Sequence, residues 1–367
     1  MGGRNRRPVM NGVDQAHGTG DAESPKPGHA STQSATSTPP APSCRRIALW
    51  PSVAFGLTVG LLFFLIADHF LSPPDCAFYW AWAETLVRQG NFAFSDVYER
   101  LQMPTLYVWL TPSGRLSNDW PMGAGLVLLP VVMAGRAVAH GWMALWVVAA
   151  LALWWRAAGA LFTRGARLTG IVAALAGTPL LFYAAFGPFF SHPASFAAVT
   201  AFLVAWDRTR LTPGGREGRE WLLLGLLLGF AALVRPQNGM LSVALLAELP
   251  RWWRAAEPGV RPRPVHLVLF VVGILLSFSP QMLAWWVLYG SPFSLPKLEE
   301  MQWLRPHLSE LLLSDFHGVL PWTPVYGLAA LGLLVLARRD GVLAGGLALA
   351  LATQVYLNAA NMVWWSG

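Results

Sequence analysis

The sequence predicts an all-α, polytopic membrane protein, and three observations carry that prediction. The 367 residues are 54% hydrophobic and only 12% charged, a balance with too little polar surface for a water-soluble domain of this size. Apolar runs of about 20 residues, the length needed to cross ~30 Å of hydrocarbon, recur along the chain after residue 46. The Lys and Arg residues behind the net charge of +7 stand between these runs rather than along one face. That pattern is topology, not a nucleic-acid footprint.

The elements follow in order. Residues 1–46 are rich in Gly, Pro, Ser, Thr and Ala, with too few large apolar side chains to offset the entropy of ordering, and are expected to form a disordered cytoplasmic tail. Ile47–Phe70 is longer than the apolar core of a signal peptide and starts far from the N-terminus, so it reads as an uncleaved first helix. Cys44 and Cys76 flank this run and fall on opposite sides, so no disulfide is expected. Further candidate spans lie near 121–140, 142–162, 168–187, 190–206, 221–234, 238–250, 265–289, 320–337 and 341–360.

If every candidate crosses, the cluster Arg208, Arg210, Arg216 and Arg219 falls outside, against the positive-inside bias. The segment broken by Pro121, Gly123, Gly125, Pro130 and Gly135 is the weakest, and it is assigned as a juxtamembrane or half-inserted element on the outer face. With that choice 18 basic residues lie inside and seven outside, Arg156 being within a span. The expectation is about nine transmembrane helices, N-terminus in the cytoplasm, in a domain 47–367 whose first outer loop, 71–141, carries interfacial helices.

Candidate site residues gather on the outer side. Asp75 follows Pro73-Pro74 and heads Cys76–Gln89, where Phe78, Trp82 and Leu86 share a helical face; this predicts an amphipathic interfacial helix with Asp75 as N-cap. The carboxylate either only caps or also serves as a general base at the water–lipid boundary. Arg235 lies in "VRPQNG", where Pro236 and Gly239 break a helix at membrane depth, a break tolerated only where protein or a water-lined cavity satisfies the backbone. Its guanidinium either snorkels or grips a phosphate, with Gln237 and Asn238 as added hydrogen-bonding groups. His192 in "FFSHPAS" either starts a helix or contacts substrate. His307 and His317 lack metal-ligand spacing, and no G-x-S-x-G, H-E-x-x-H or Gly-rich phosphate loop is present. The sequence supports no cofactor, and a divalent metal finds no ligand pattern.

The segments "PPDCAFYWAWAETLVRQGNF", "SNDWPMGAGLVLLP", "FGPFFSHP", "GLLLGFAALVRPQNG", "YGSPFSLPK" and "SDFHGVLPWTPVYGLAALGLLVLARRD" together resemble the bacterial GT-C membrane glycosyltransferases, a group similar to protein O-mannosyltransferases and the lipid A aminoarabinose transferase. The resemblance runs from about residue 47 to the end. It implies inverting transfer of a sugar from a polyprenyl-phosphate donor to an acceptor at the outer face of a bacterial inner membrane, with membrane lipids as surroundings and no nucleic acid as partner. It implies Asp75 as the base and Arg235 on the carrier phosphate; Asp119, which stands in the juxtamembrane motif where relatives often have a basic residue, is added as a candidate substrate-binding residue. Where many relatives have two adjacent acids, this chain has Asp75-Cys76. Relatives continue through more spans beyond "NMVWWSG", so the chain is expected to be C-terminally truncated. Two other functions compete: a transporter or flippase of a lipid-linked or anionic substrate, which broken helices also suit, and a non-catalytic remnant of the enzyme.

Overall fold

A Pro-led helix, Pro74–Gln89 (α1), opens the part of the chain that the computed structural model describes, residues 74–254, 260–296 and 300–366. These residues belong to one contact unit, Trp50–Gly367. The expected tail 1–46 and the expected span 47–70 lie outside the described residues. Proline suits the first helical position, because its fixed φ is helical and its missing N–H costs nothing there. Asp75 therefore sits inside the first turn and not at the N-cap, which corrects the sequence expectation.

The amphipathic expectation for α1 also needs correction. Every residue from Cys76 to Thr85 is buried, so the helix is enclosed on all sides until its last turn, where Val87 and Arg88 are exposed. Its cover comes from the stretch that follows, including α2 (Ser95–Leu101) and the connector 111–121. Tyr98 donates to the Ser117 carbonyl at 2.7 Å, Asn118 Nδ2 to the Phe78 carbonyl at 3.1 Å, and Trp82 Nε1 to the Trp120 carbonyl at 2.9 Å. The ring of Trp120 stacks on Phe78 with centroids 3.8 Å apart.

The connector leads into α3 (Met122–Ala134), the segment read from sequence as non-crossing. Its 13 residues reach only about 20 Å, short of the ~30 Å hydrocarbon core. It packs against both α1 and the helix that ends before the "RPQN" break. Two glycines make this possible: a Cβ on Gly125 would lie 2.4 Å from Trp82 Cβ, and one on Gly123 would lie 2.3 Å from the Leu233 carbonyl oxygen. Met122 N–H is taken up by the buried side chain of Gln281 at 2.7 Å.

The remaining chain is helical: α4 (Ala139–Ala157), α5 (Arg164–Gly177), α6 (Leu180–Ala185), α7 (His192–Thr209), α8 (Gly218–Val234), a 3-10 helix Pro236–Glu248 continued by α9 (Leu249–Arg254), then α10 (Pro264–Tyr289), α11 (Leu308–Leu313), α12 (Val319–Trp322), α13 (Val325–Ala337) and α14 (Gly341–Ala360). Among the described residues three stretches, Arg136–Ala160, Pro264–Tyr289 and Gly341–Ala360, are long and apolar enough to cross a membrane. Two expected spans are interrupted. The stretch 168–187 divides at Thr178-Pro179 into α5 and α6, and 320–337 divides at Thr323-Pro324 into α12 and α13. In both places the proline cannot donate to the preceding turn and pushes its predecessor toward extended backbone.

The stretch 238–250, short as an α-helix, gains reach from its winding. Thirteen residues of 3-10 helix rise about 26 Å, and six of α-helix add about 9 Å. The closest helix pairing is α8 against α10. Gly225 faces Gly273, and Gly229, four residues on, faces Ile274; a Cβ on Gly225 would stand 2.0 Å from the Phe270 carbonyl oxygen. Small residues let backbones approach where lipid provides no hydrophobic drive.

Because α8 and α10 run parallel, the packed helices have two recognisable ends. Gly218 of α8 meets Leu269 of α10 at one, with Trp221 stacked on His266. At the other end α8 gives way to Arg235. The start of α7 also belongs to this second end, since Asn238 reaches its Ser195.

Candidate functional site

The site begins with the two residues that break and start helices. Val234 closes α8, and Arg235 is extended, φ −147° and ψ 116°, as a residue before proline tends to be. The break is held from three sides. Asn238 N–H donates to the Arg235 carbonyl at 2.9 Å, Asn238 Nδ2 to Ser195 Oγ at 2.9 Å and to the Ala231 carbonyl at 3.0 Å, and Gln354 of α14 donates to the Gln237 carbonyl at 3.0 Å. Asn238 is buried, and its amide nitrogen is engaged within the protein. Its evident task is to lock the break.

The break fixes the guanidinium. With the Gln237 amide turned so that its oxygen faces the arginine, that oxygen accepts from Arg235 Nε at 3.0 Å and Nη2 at 3.1 Å. None of the ion pairs among the described residues includes Arg235. Its charge is therefore balanced by no described carboxylate, and its fork geometry suits a phosphate.

Asp75 is half-buried at the start of α1, and its Oδ1 accepts from Trp120 Nε1 at 2.9 Å. One turn later stands Tyr79, buried and in side-chain hydrogen-bond contact with Ser191. Burial pushes the Tyr79 phenol up to about 12, Arg235 pulls it back down, and Asp75 adds to the rise. Both charges thus act on one phenol. They act on Tyr183 of α6 as well. Asp75 and Arg235 consequently share one neighbourhood with Tyr79, Tyr183 and Ser191, without an ion pair between them.

His192 belongs to the same wall. It is the first residue of α7, and its ring lies flat on Tyr183, centroids 3.7 Å apart and planes within 3°, with Phe190 edge-on at 5.8 Å. Asp119 is placed differently. Its Oδ1 accepts from the Tyr289 hydroxyl at 2.8 Å, tying the connector to α10, and its Oδ2 from Trp109 Nε1 at 3.2 Å, tying it to the preceding loop. Cys76, next to the acid, is buried, and burial together with the Asp75 charge raises its thiol well above the usual range.

Sequence reasoning did not single out Tyr79, Tyr183, Ser191 or Trp120. The "DW" step and the aromatic run before His192 were the available signals. Trp120 was indistinguishable from an interfacial tryptophan until its indole N–H found Asp75 from 45 positions away. Among the described residues no three His, Cys, Asp or Glu side chains gather in a metal-holding group.

Neither a protein-family model, nor a curated protein, nor a solved structure matches the chain.

Proposed function

We propose that the chain is a GT-C-like glycosyltransferase, a multi-pass protein of about nine spans in a bacterial inner membrane with its N-terminus in the cytoplasm. In this reading it moves a sugar from a polyprenyl-phosphate carrier to an acceptor at the outer face. The observation that carries the reading is the convergence of Asp75 and Arg235: Trp120, which donates to Asp75, and Tyr79, one turn along from it, pack in one buried cluster with Val234, the residue before Arg235.

The roles follow from charge. The carrier phosphate meets Arg235, and Gln237 orients the guanidinium. The acceptor oxygen attacks the anomeric carbon from the face opposite the phosphate, the carbon–oxygen bond to phosphate breaks, and configuration inverts. The acceptor proton passes to Asp75. Negative charge builds on the departing phosphate, where Arg235 stabilises it more in the transition state than in the ground state. Trp120 occupies Oδ1 of Asp75, which leaves Oδ2 for the acceptor. His192 and Tyr183 form an aromatic surface on which a sugar ring can lie. Asp119, with both oxygens engaged by the protein, enters as a support of the loop.

The test is turnover of polyprenyl-phosphate sugars by purified protein, read as loss of carrier-bound sugar. Asp75→Asn is expected to lose turnover by 10²-fold or more, the scale of a general base, with carrier binding retained, whereas Arg235→Ala weakens carrier binding. Equal turnover in Asp75→Asn and wild type removes Asp75 as the base. Carrier movement across the bilayer without loss of its sugar would support a transporter instead.

A further inference from the structure

The loop between α2 and the connector 111–121 exposes apolar side chains that a water-facing loop would bury. Around the 3-10 turn Thr105–Tyr107, Leu106 is 84% exposed and Leu110 68%, and Tyr107 and Trp109 are exposed beside them. The backbone that carries them is fixed. Leu110 pairs with Leu116 in an antiparallel bridge, Ser117 N–H donates to the Trp109 carbonyl at 2.8 Å, and Thr111 N–H donates to the Arg115 carbonyl at 2.8 Å. Between the two exposed leucines, Val108 packs against the buried cluster that holds α1. An ordered hairpin therefore presents these apolar groups outward.

Its level in the molecule is set by α10. Ser113 Oγ donates to the Leu288 carbonyl at 2.6 Å, and the ring of Trp109 lies 5.8 Å from that of Tyr289. Asp119 joins the same two rings by accepting from Trp109 Nε1 and from the Tyr289 hydroxyl. With 26 residues α10 is about 39 Å long, and it is apolar enough to span. That length exceeds the ~30 Å hydrocarbon core, so its last residues, Leu288 and Tyr289, come to the membrane interface. The hairpin is pinned at that height, at the end of the molecule that carries Arg235.

We propose that Leu106, Tyr107, Trp109 and Leu110 insert into the bilayer leaflet at this end of the molecule. The interfacial contact expected of α1 is made here instead. Tryptophan and tyrosine settle at headgroup level, and the leucines beside them reach into the acyl region. Arg115 is exposed on the same hairpin, and its long side chain suits lipid phosphate. A second copy of the chain is a poorer occupant, since a stable protein interface buries ~800 Å² per partner, more than four partly exposed side chains on one hairpin offer. Tyr107 also stands edge-on to Trp120, centroids 6.2 Å apart, and Trp120 donates to Asp75. Insertion therefore sets the depth of Asp75 relative to the headgroups.

The full chain, with Cys44 and Cys76 changed to serine, is reconstituted in phosphatidylcholine nanodiscs at one copy per disc. Leu106→Cys and Leu110→Cys are each labelled with bimane, as is Glu99→Cys at an exposed position of α2. Phosphatidylcholine brominated high on its acyl chains is expected to cut the emission at 106 and 110 by about half, as for a group ~5–10 Å inside the headgroup boundary, and aqueous iodide to quench the label at 99 far more than either. The proposal is overturned if iodide reaches 106 and 110 as readily as 99 while brominated lipid leaves them unchanged. Protection of 106 and 110 from both quenchers overturns it too, because in a single-copy disc only the chain itself could then be covering the loop. Equal quenching by brominated lipid at all three positions also counts against it, since the label and not the loop would be seeking lipid. Either leucine position decides alone should the other variant fold poorly. The readout needs no turnover, so it stands or falls separately from the proposed sugar transfer.

Discussion

At the scale of single residues, the informative contact is the indole of Trp120 on Asp75. A carboxylate held by one donor keeps a fixed direction for its second oxygen, so Trp120 is a positioning residue in the proposed reaction. Trp120→Phe preserves much of the stack on Phe78 and deletes the donor. A single hydrogen bond to a charged group contributes about 1.5–3 kcal/mol, so kcat is expected to fall roughly tenfold or more with KM nearly unchanged. An equal rise in KM would indicate a merely structural role. Cys76 gives a second prediction. The thiolate is the reactive form, and both burial and the neighbouring acid disfavour it. Iodoacetamide at pH 8 is expected to leave Cys76 unmodified in the folded protein and to alkylate it after denaturation, as read by peptide mass.

At the scale of elements, the α8–α10 contact shows what a glycine contributes. With Gly225 built as alanine, the new Cβ would meet the Phe270 carbonyl at 2.0 Å, and a backbone oxygen cannot rotate away. Gly225→Ala is expected to cost about 1–3 kcal/mol by overpacking, seen as a lower unfolding temperature in detergent. Gly332→Ala, in α13 with nothing near its would-be Cβ, is the control and is expected to be neutral or stabilising by up to about 1 kcal/mol. The break before Pro236 and the stop at Gly135 were legible in the sequence, whereas the proline breaks inside 168–187 and 320–337 were not. The helix ends before Pro236 as expected, and the stretch 121–140 is a short helix that runs through Gly123, Gly125 and Pro130, expected to break it, and stops at Gly135, whose φ of 97° excludes most side chains. The winding of Pro236–Glu248 as a 3-10 helix was not legible, because composition fixes apolarity and not rise per residue. Nor was the burial of α1. Its Phe78, Trp82 and Leu86 stripe matches a surface helix until Asn118 and Trp120 close over it from some 40 residues away. Asp75 and Arg235 could be nominated by residue type, whereas Tyr79 and Ser191 required the fold to bring α1 against the start of α7.

For the whole molecule, the two ends defined by α8 and α10 lead to a test of orientation. At one end lie Arg210, Arg216, Arg251 and Arg261, with the exposed Arg219 nearby. At the opposite end lie Asp75, Arg235 and the C-terminal end of α10 at Tyr289, beyond which Ser291 is exposed. The positive-inside bias assigns the first end to the cytoplasm, and a polyprenyl-linked donor reacting on the outer face requires the second end to be external. Both demands concern one orientation, so one measurement bears on both. With Cys44 and Cys76 changed to serine, Ser291→Cys is expected to react with a membrane-impermeant maleimide added to intact spheroplasts, and Arg219→Cys only after permeabilisation. The opposite pattern would put the Asp75–Arg235 group on the cytoplasmic side and remove the outer-face reaction. Labelling of both positions in intact cells would mean that α8 and α10 do not hold the two ends on opposite sides of the membrane, and the nine-span topology would fail with it.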